Sequence, residues 1–173
     1  GDHLGSGRLL GNRMRFAMRE LLASFVEAGK PIIGICNGFQ VLVKTGLLPG
    51  REIPDFEQRA SLTLNNSGRY EDRWVTLEFD PESPCIWTKG ITRIECPVRH
   101  GEGRFVMPST IDLDELNNNN QIVTRYVDPA TEAGKGITDE MLPFPICPNG
   151  SIRNIAGICD PTGLVFGLMP HPE

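Results

Sequence analysis

Pro31-Ile32-Ile33-Gly34-Ile35-Cys36-Asn37-Gly38-Phe39-Gln40 is the stretch on which the reading of this chain turns. The apolar run from Pro31 to Ile35 has the length and composition of a buried parallel strand. It stops at Cys36, and a helical pattern carried by Phe39, Val41, Leu42 and Val43 begins at once. Gly34 and Gly38 flank the cysteine two residues to either side, the G-x-nucleophile-x-G spacing of a nucleophile elbow. A strand-to-helix turn this tight strains its central residue and leaves little room beside it, so small neighbours are expected. It also sets the thiol at a helix N-terminus, where the dipole favours thiolate by roughly 0.3–1 kcal/mol. The alternative is an inert buried cysteine at a strand end.

Around this element, 173 residues suffice for one sizeable core, and a single domain over 1–173 is expected. Hydrophobic content of 39% and charged content of 23% are those of a soluble globular protein. A net charge of −5 without a basic run argues against nucleic-acid binding. No apolar stretch approaches membrane-span length, and no secretory pattern opens the chain. Five cysteines (36, 85, 96, 147, 159) without a C-x-x-C pair argue against a disulfide framework or zinc knuckle and for a reducing, cytoplasmic setting. Cys85, Cys96, Cys147 and Cys159 are read as structural. Both ends are abrupt: Gly1 to Gly7 is a glycine-rich loop with no element before it, and Glu173 falls just past an apolar run. A fragment of a longer chain is therefore expected.

In chain order, residues 8–29 form the best helix, with Leu10, Met14, Ala17, Leu21 and Phe25 as its apolar stripe. Gly29 is its expected stop. Helix followed by strand is half a βαβ unit, so a sheet parallel at its centre is expected. Candidate strands follow at 62–64, 74–79, 94–98, 104–106 and 122–127, several of them antiparallel. The polar stretch from Asp112 to Asn120 reads as a loop tip, and 128–150, rich in proline and glycine, as an ordered loop or flap. A final pair of strands, 155–159 and 164–169, is joined by the turn Asp160-Pro161-Thr162-Gly163.

That pair ends in Pro170-His171-Pro172-Glu173. A thiol nucleophile needs a base, and the base an orienting carboxylate. The chain has three histidines. His3 sits in the terminal loop and reads as an exposed surface residue. His100, in Arg99-His100-Gly101-Glu102-Gly103, is either part of a second functional loop or a polar turn. His171, two residues before Glu173 and stiffened by Pro170 and Pro172, is the best candidate base; the competing reading is an inert surface turn.

Gly34 to Gln40 together with Pro170 to Glu173 resembles the class I, triad-type glutamine amidotransferases. Within them the resemblance is to the amidotransferase subunit or domain of phosphoribosylformylglycinamidine (FGAM) synthase. Further matching segments are Gly1-Asp2 with Leu4 and Gly7, Asn66 to Trp74, His100 to Phe105, and Asn149-Gly150-Ser151 with Ile155 to Ile158, so it runs over nearly the whole chain. It implies a flavodoxin-like α/β fold with a central, mostly parallel sheet, helices on both faces and added antiparallel strands. It also implies that Cys36, His171 and Glu173 hydrolyse glutamine through a Cys-linked glutamyl thioester. Asn37, Gly38 and Gln40 would form the oxyanion and substrate-binding side, Gln40 being otherwise a helix-surface amide. His100, Glu102 and Arg104 are candidates for coupling to a partner from its rim. The family's first strand and glycine-rich oxyanion loop have no counterpart before Gly1, and 112–150 is longer than in compact relatives.

Ammonia from this family passes to a synthase subunit or fused synthase domain, with or without a small accessory subunit, that converts FGAR and ATP to FGAM. No phosphate-binding G-x-x-x-x-G-K-[ST] and no acidic cluster with metal spacing occurs here. ATP and magnesium are accordingly expected in the partner, with no cofactor and no metal in this chain. The alternatives are an amidotransferase of another pathway, or a stand-alone cysteine hydrolase or peptidase on the same fold.

Overall fold

The computed structural model describes residues 19–51 and 56–172. The 1–7 loop with His3, the first part of the expected 8–29 helix, and Glu173 lie outside the described residues. What is described of that helix is α1 (Arg19–Glu27). Gly29, at φ 68°, takes the left-handed turn that stops it and donates its N–H to Val26 O at 2.8 Å. Two apolar stripes compete on α1, 21/25 and 22/26. Packing selects the second: Leu22, Ala23 and Val26 face the core, while Leu21 is 58% and Phe25 38% exposed.

The elements that follow are β1 (Ile32–Ile35), α2 (Asn37–Thr45), β2 (Ser61–Leu64), β3 (Glu71–Phe79), β4 (Arg93–His100), β5 (Glu102–Val106), α3 (Thr110–Asn118), β6 (Ile122–Tyr126), β7 (Ile155–Cys159) and β8 (Val165–Leu168). Six strands form one sheet in the order β1-β8-β7-β6-β3-β4, and β2 pairs with β5 in a separate ribbon. The α/β class stands, with a correction to the expected strand directions. Among the described residues only β1 and β8 are parallel; the β8–β7, β7–β6, β6–β3 and β3–β4 pairs are antiparallel. A parallel pair requires a long crossover, whereas β7 and β8 are joined by the tight 160–163 turn. Asp160 closes that turn, its carboxylate accepting from Val165 N at 2.9 Å and from Thr162 Oγ1 at 2.5 Å.

Two apolar clusters form the core. The first combines Phe39, Leu42 and Val43 of α2, Leu113 and Leu116 of α3, and the α1 stripe, with Ile122, Ile155, Ile158 and Val165 from the sheet. The second collects Val75, Leu77, Val123, Tyr126, Ala156 and Phe166 of the sheet with Cys85, Leu142 and Cys147. All three described helices thus contribute to the first cluster, and non-helical segments close the second, where helices on both faces were expected. Cys85, Cys96, Cys147 and Cys159 are buried, and none of the five cysteines is in a disulfide among the described residues.

The polar stretch expected as a loop is helical. Ser109 caps α3, its Oγ accepting from Asp112 N at 3.1 Å, and Leu113 and Leu116 anchor it in the core. The 128–150 segment has no regular element and is pinned as an ordered loop. Asn154 accepts from Leu142 N at 2.9 Å and donates to the carbonyls of Thr138 and Glu140. Glu78, 1% exposed, accepts from Gly136 N at 2.9 Å and pairs with Arg93 at 2.8 Å. Among the described residues no helix is long and apolar enough to cross a membrane.

Candidate active site

The parallel β1–β8 pair builds the site. Its register sets Ile35 beside Leu168, so the next residues of both strands emerge at the same end of the sheet, the usual place for a ligand crevice in open α/β sheets. Cys36 follows Ile35, and its N–H donates to Leu168 O at 2.7 Å. His171 lies three residues beyond Leu168; its N–H donates to Pro97 O at 2.8 Å, tying it to β4. Cys36 and His171 line one cavity of about 460 Å³, within the roughly 300–1,000 Å³ usual for small-molecule sites. A larger cavity of about 590 Å³, between Pro49 and Leu116, contains neither cysteine nor histidine in its wall.

Cys36 has φ 51° and ψ −105°, the strained backbone expected of an elbow. Such a conformation costs on the order of 1–3 kcal/mol and persists only where surrounding packing imposes it. It occupies the N-cap of α2. Its Sγ lies 3.9 Å from the carbonyl oxygen of Arg99, toward which the thiol points. The expected crowding at the flanking glycines holds at one of them. A Cβ on Gly34 would fall 2.6 Å from the Gly38 carbonyl carbon and 2.7 Å from Leu42 Cδ1, whereas one on Gly38 would meet nothing within 4 Å among the described residues. Gly34 therefore lets strand and helix approach, and no described residue crowds Gly38.

Gln40 is buried rather than on the helix surface. Its Nε2 donates to Glu102 O at 2.8 Å, fixing the turn between β4 and β5 against the elbow helix. Asn37, Gln40 and the 100–102 turn share the cavity wall with Cys36. Gly68, Arg69 and Tyr70 close it from the other side.

The three candidate coupling residues separate. Arg104 is tied away from the cavity, Nε donating to Thr63 Oγ1 at 3.2 Å and Nη1 to Asn66 Oδ1. Glu102 is half-buried in the cavity wall. His100 is 3% exposed, so it sits beneath the site instead of on a rim that a partner could touch. Its Nδ1 lies 3.0 Å from Asn65 Oδ1. Burial, reinforced by the nearby His171 imidazole, pulls its pKa down to about 4 despite the opposing pull of Glu71. Burial pushes the Glu71 carboxyl up, but hydrogen bonds from Ser67 and Arg73 outweigh it and hold the group below its ordinary value.

Asn65 and the Arg99 carbonyl carried no signal in the sequence: an asparagine before a turn and a main-chain oxygen are legible only once β2, β4 and β5 are assembled. Among the described residues no group of three or more His, Cys, Asp or Glu is placed to hold a metal ion.

This arrangement sits in a recognisable sequence family. The family model for the CobB/CobQ-like glutamine amidotransferase domain matches residues 1–173. The chain is 45% identical over 182 residues to phosphoribosylformylglycinamidine synthase subunit PurQ of Treponema denticola, covering 99% of this chain and 66% of that protein. It is 46% identical over 173 residues to the subunit of the same name from Dehalococcoides mccartyi, covering 100% of this chain and 62% of the relative. A solved structure, the PurLQS of Thermotoga maritima, contains a chain that superposes with a TM-score of 0.63 at 31% identity, covering 99% of this chain and 63% of that one. The chain thus spans 62–66% of the length of these two curated relatives. With the full-length family match and the elbow cysteine in place, the chain belongs to the CobB/CobQ-like glutamine amidotransferase domain family.

Proposed function

We propose that residues 1–173 form a single glutaminase domain that supplies ammonia to phosphoribosylformylglycinamidine synthesis in de novo purine biosynthesis. The observation that carries this reading is the convergence of Cys36, on a strained elbow, and His171, at the end of the adjacent parallel strand, on one cavity. The names of the curated relatives support the pathway.

In this reading Cys36 Sγ attacks the side-chain carboxamide carbon of glutamine as His171 takes the thiol proton. The oxyanion is held by the backbone N–H of Asn37, the residue that follows the nucleophile at the start of α2. His171 returns the proton to the departing amine, releasing ammonia and leaving a γ-glutamyl thioester. It then removes a proton from the water that hydrolyses this ester, freeing glutamate and the thiol. Glu173, outside the described residues, is assigned the orienting role from its place two residues after His171. Gln40 holds the 100–102 turn that walls the cavity. The partner is a synthase, separate or fused, with or without a small accessory subunit, and ATP and magnesium belong to it. Five cysteines without a disulfide among the described residues fit a reducing, cytoplasmic compartment.

The test is glutamine hydrolysis by the full-length protein, alone and with the synthase, ATP and formylglycinamide ribonucleotide. A low rate alone that rises steeply with the loaded synthase is expected, together with covalent labelling of Cys36 by a glutamine-mimicking diazoketone. An unlabelled Cys36 overturns the glutaminase reading. A high rate indifferent to the synthase overturns the purine assignment and favours a stand-alone hydrolase.

A further inference from the structure

His100 is a buried polar group of the cavity wall for which the proposed chemistry has no use. Its surroundings are unusually determinate. The side-chain amide of Asn65 is fixed from one end, Nδ2 donating to His100 O at 2.8 Å and to Arg69 O at 2.9 Å. Asn65 Oδ1 must therefore be the atom that faces the ring, and it already accepts the Gly103 N–H at 3.1 Å. An oxygen can only accept, so His100 Nδ1, 3.0 Å away, has to carry a proton. The other ring nitrogen, Nε2, is buried and has no hydrogen-bond partner among the described residues. In a neutral ring that nitrogen is a bare lone pair, whereas in a cation it would be a buried N–H without an acceptor, the costlier arrangement. Gly103 holds the ring in place: a Cβ there would fall 2.3–2.6 Å from Cε1, Nδ1 and Nε2, so the imidazole lies directly on the glycine backbone.

Among the described residues, two ionisable groups face this ring. Glu71 stands opposite His100 in the β3–β4 ladder, but its carboxylate is occupied by Ser67 Oγ at 2.7 Å and Arg73 Nη2 at 2.7 Å. His171, tethered to Pro97 on the same strand β4, is close enough that a charge on it disfavours one on His100.

We propose that Asn65 and Gly103 lock His100 as a neutral, Nδ1-protonated imidazole behind the Cys36 cavity, a positioning residue that leaves His171 as the cavity's proton carrier. The functional half of this rests on the glutaminase reading. A second histidine able to ionise beside His171 would compete for the thiol proton. A neutral ring fills the same space without that competition.

The structural half is tested on the full-length protein labelled with 15N-histidine, using long-range 1H–15N correlation spectra with His100 assigned through His100→Gln. The expected spectrum has His100 neutral, protonated at Nδ1 and bare at Nε2, with no titration above about pH 5. A ring protonated at Nε2, or one titrating near its ordinary value of 6.5, overturns the proposal. The functional half is tested by the pH dependence of glutaminase kcat/KM in Asn65→Asp, which puts a carboxylate against Nδ1 and raises the His100 pKa by about 1–3 units. The acid limb is expected to steepen and move to higher pH, while in His100→Gln, neutral at every pH, it stays in place. A pH-independent fall in both variants would mean a merely structural role and overturns the functional half. If Asn65→Asp fails to fold, Gly103→Ala, which displaces the ring from its lock, is expected to move the same limb, and an unmoved limb overturns it. A wild-type protein inactive on glutamine would sink the glutaminase reading and leave the spectroscopic test standing.

Discussion

Burying a neutral histidine makes stability depend on pH in a direction that can be worked out for His100→Gln. In the unfolded chain His100 titrates near 6.5, and in the fold its pKa lies at about 4. Between these values the unfolded state binds a proton that the native state refuses. Stability is therefore fully present above 6.5, is lost as pH falls toward 4, and changes no further below that. At about 1.4 kcal/mol per unit, the loss attributable to this one ring is about 3 kcal/mol when complete and about 2 kcal/mol by pH 5. Glutamine has no such titration, and its amide can still donate to Asn65 Oδ1. The assay is urea denaturation of the wild-type protein and His100→Gln at pH 7.5 and at pH 5. The wild-type advantage is expected to shrink by about 2 kcal/mol on acidification; the other titrating groups occur in both proteins and cancel. A wild-type advantage that is the same at both pH values would refute the reasoning, because it would mean that His100 takes up its proton in the fold as readily as outside it.

Other outcomes follow from the packing. Glu78→Ala removes the partner of Arg93 and the acceptor of Gly136 N together. It should cost about 3 kcal/mol, the low end for a broken buried pair because Arg93 retains some exposure, and hydrogen exchange at Gly136 should accelerate. Gly34→Ala pushes a methyl group into the Gly38 backbone. A loss of about 1–3 kcal/mol is expected in thermal unfolding, with a larger proportional loss of diazoketone labelling as the elbow shifts. Ser109→Ala should lower stability by about 1 kcal/mol without affecting labelling, since Ser109 caps α3 and is not in the wall of the Cys36 cavity.

The elbow and the end of the sheet it occupies were legible because they are local. A short apolar run, a cysteine and an immediate helical pattern sit within ten residues, and His171 follows a strand of the same kind. Strand positions were legible for the same reason. Strand directions were not, since pairing is settled by connections and by which faces must be covered. On α3 the asparagines that end the helix masked two leucines and a serine cap, which suffice once a core exists for Leu113 and Leu116 to enter. The neutral state of His100 lies furthest from the sequence. It depends on Asn65 in the turn after β2 and Gly103 on β5, brought against the His100 ring of β4, and on the depth of burial they create.

The hydrogen bond from Cys36 N to Leu168 O also bears on the order of events during synthesis. Strand β1 and the elbow leave the ribosome early, while the strand that must lie beside them, and the histidine after it, are among the last of these 173 residues to be made. Closing so large a loop is slow, and chains fold from what has already emerged. Until β8 docks, the elbow lacks the strand to which Cys36 N donates, and Cys36 lacks His171 in the wall of its cavity. In the proposed reading, reactivity at Cys36 is thus a late product of folding: a nascent or partly folded chain would carry an ordinary cysteine where the finished domain would carry a nucleophile.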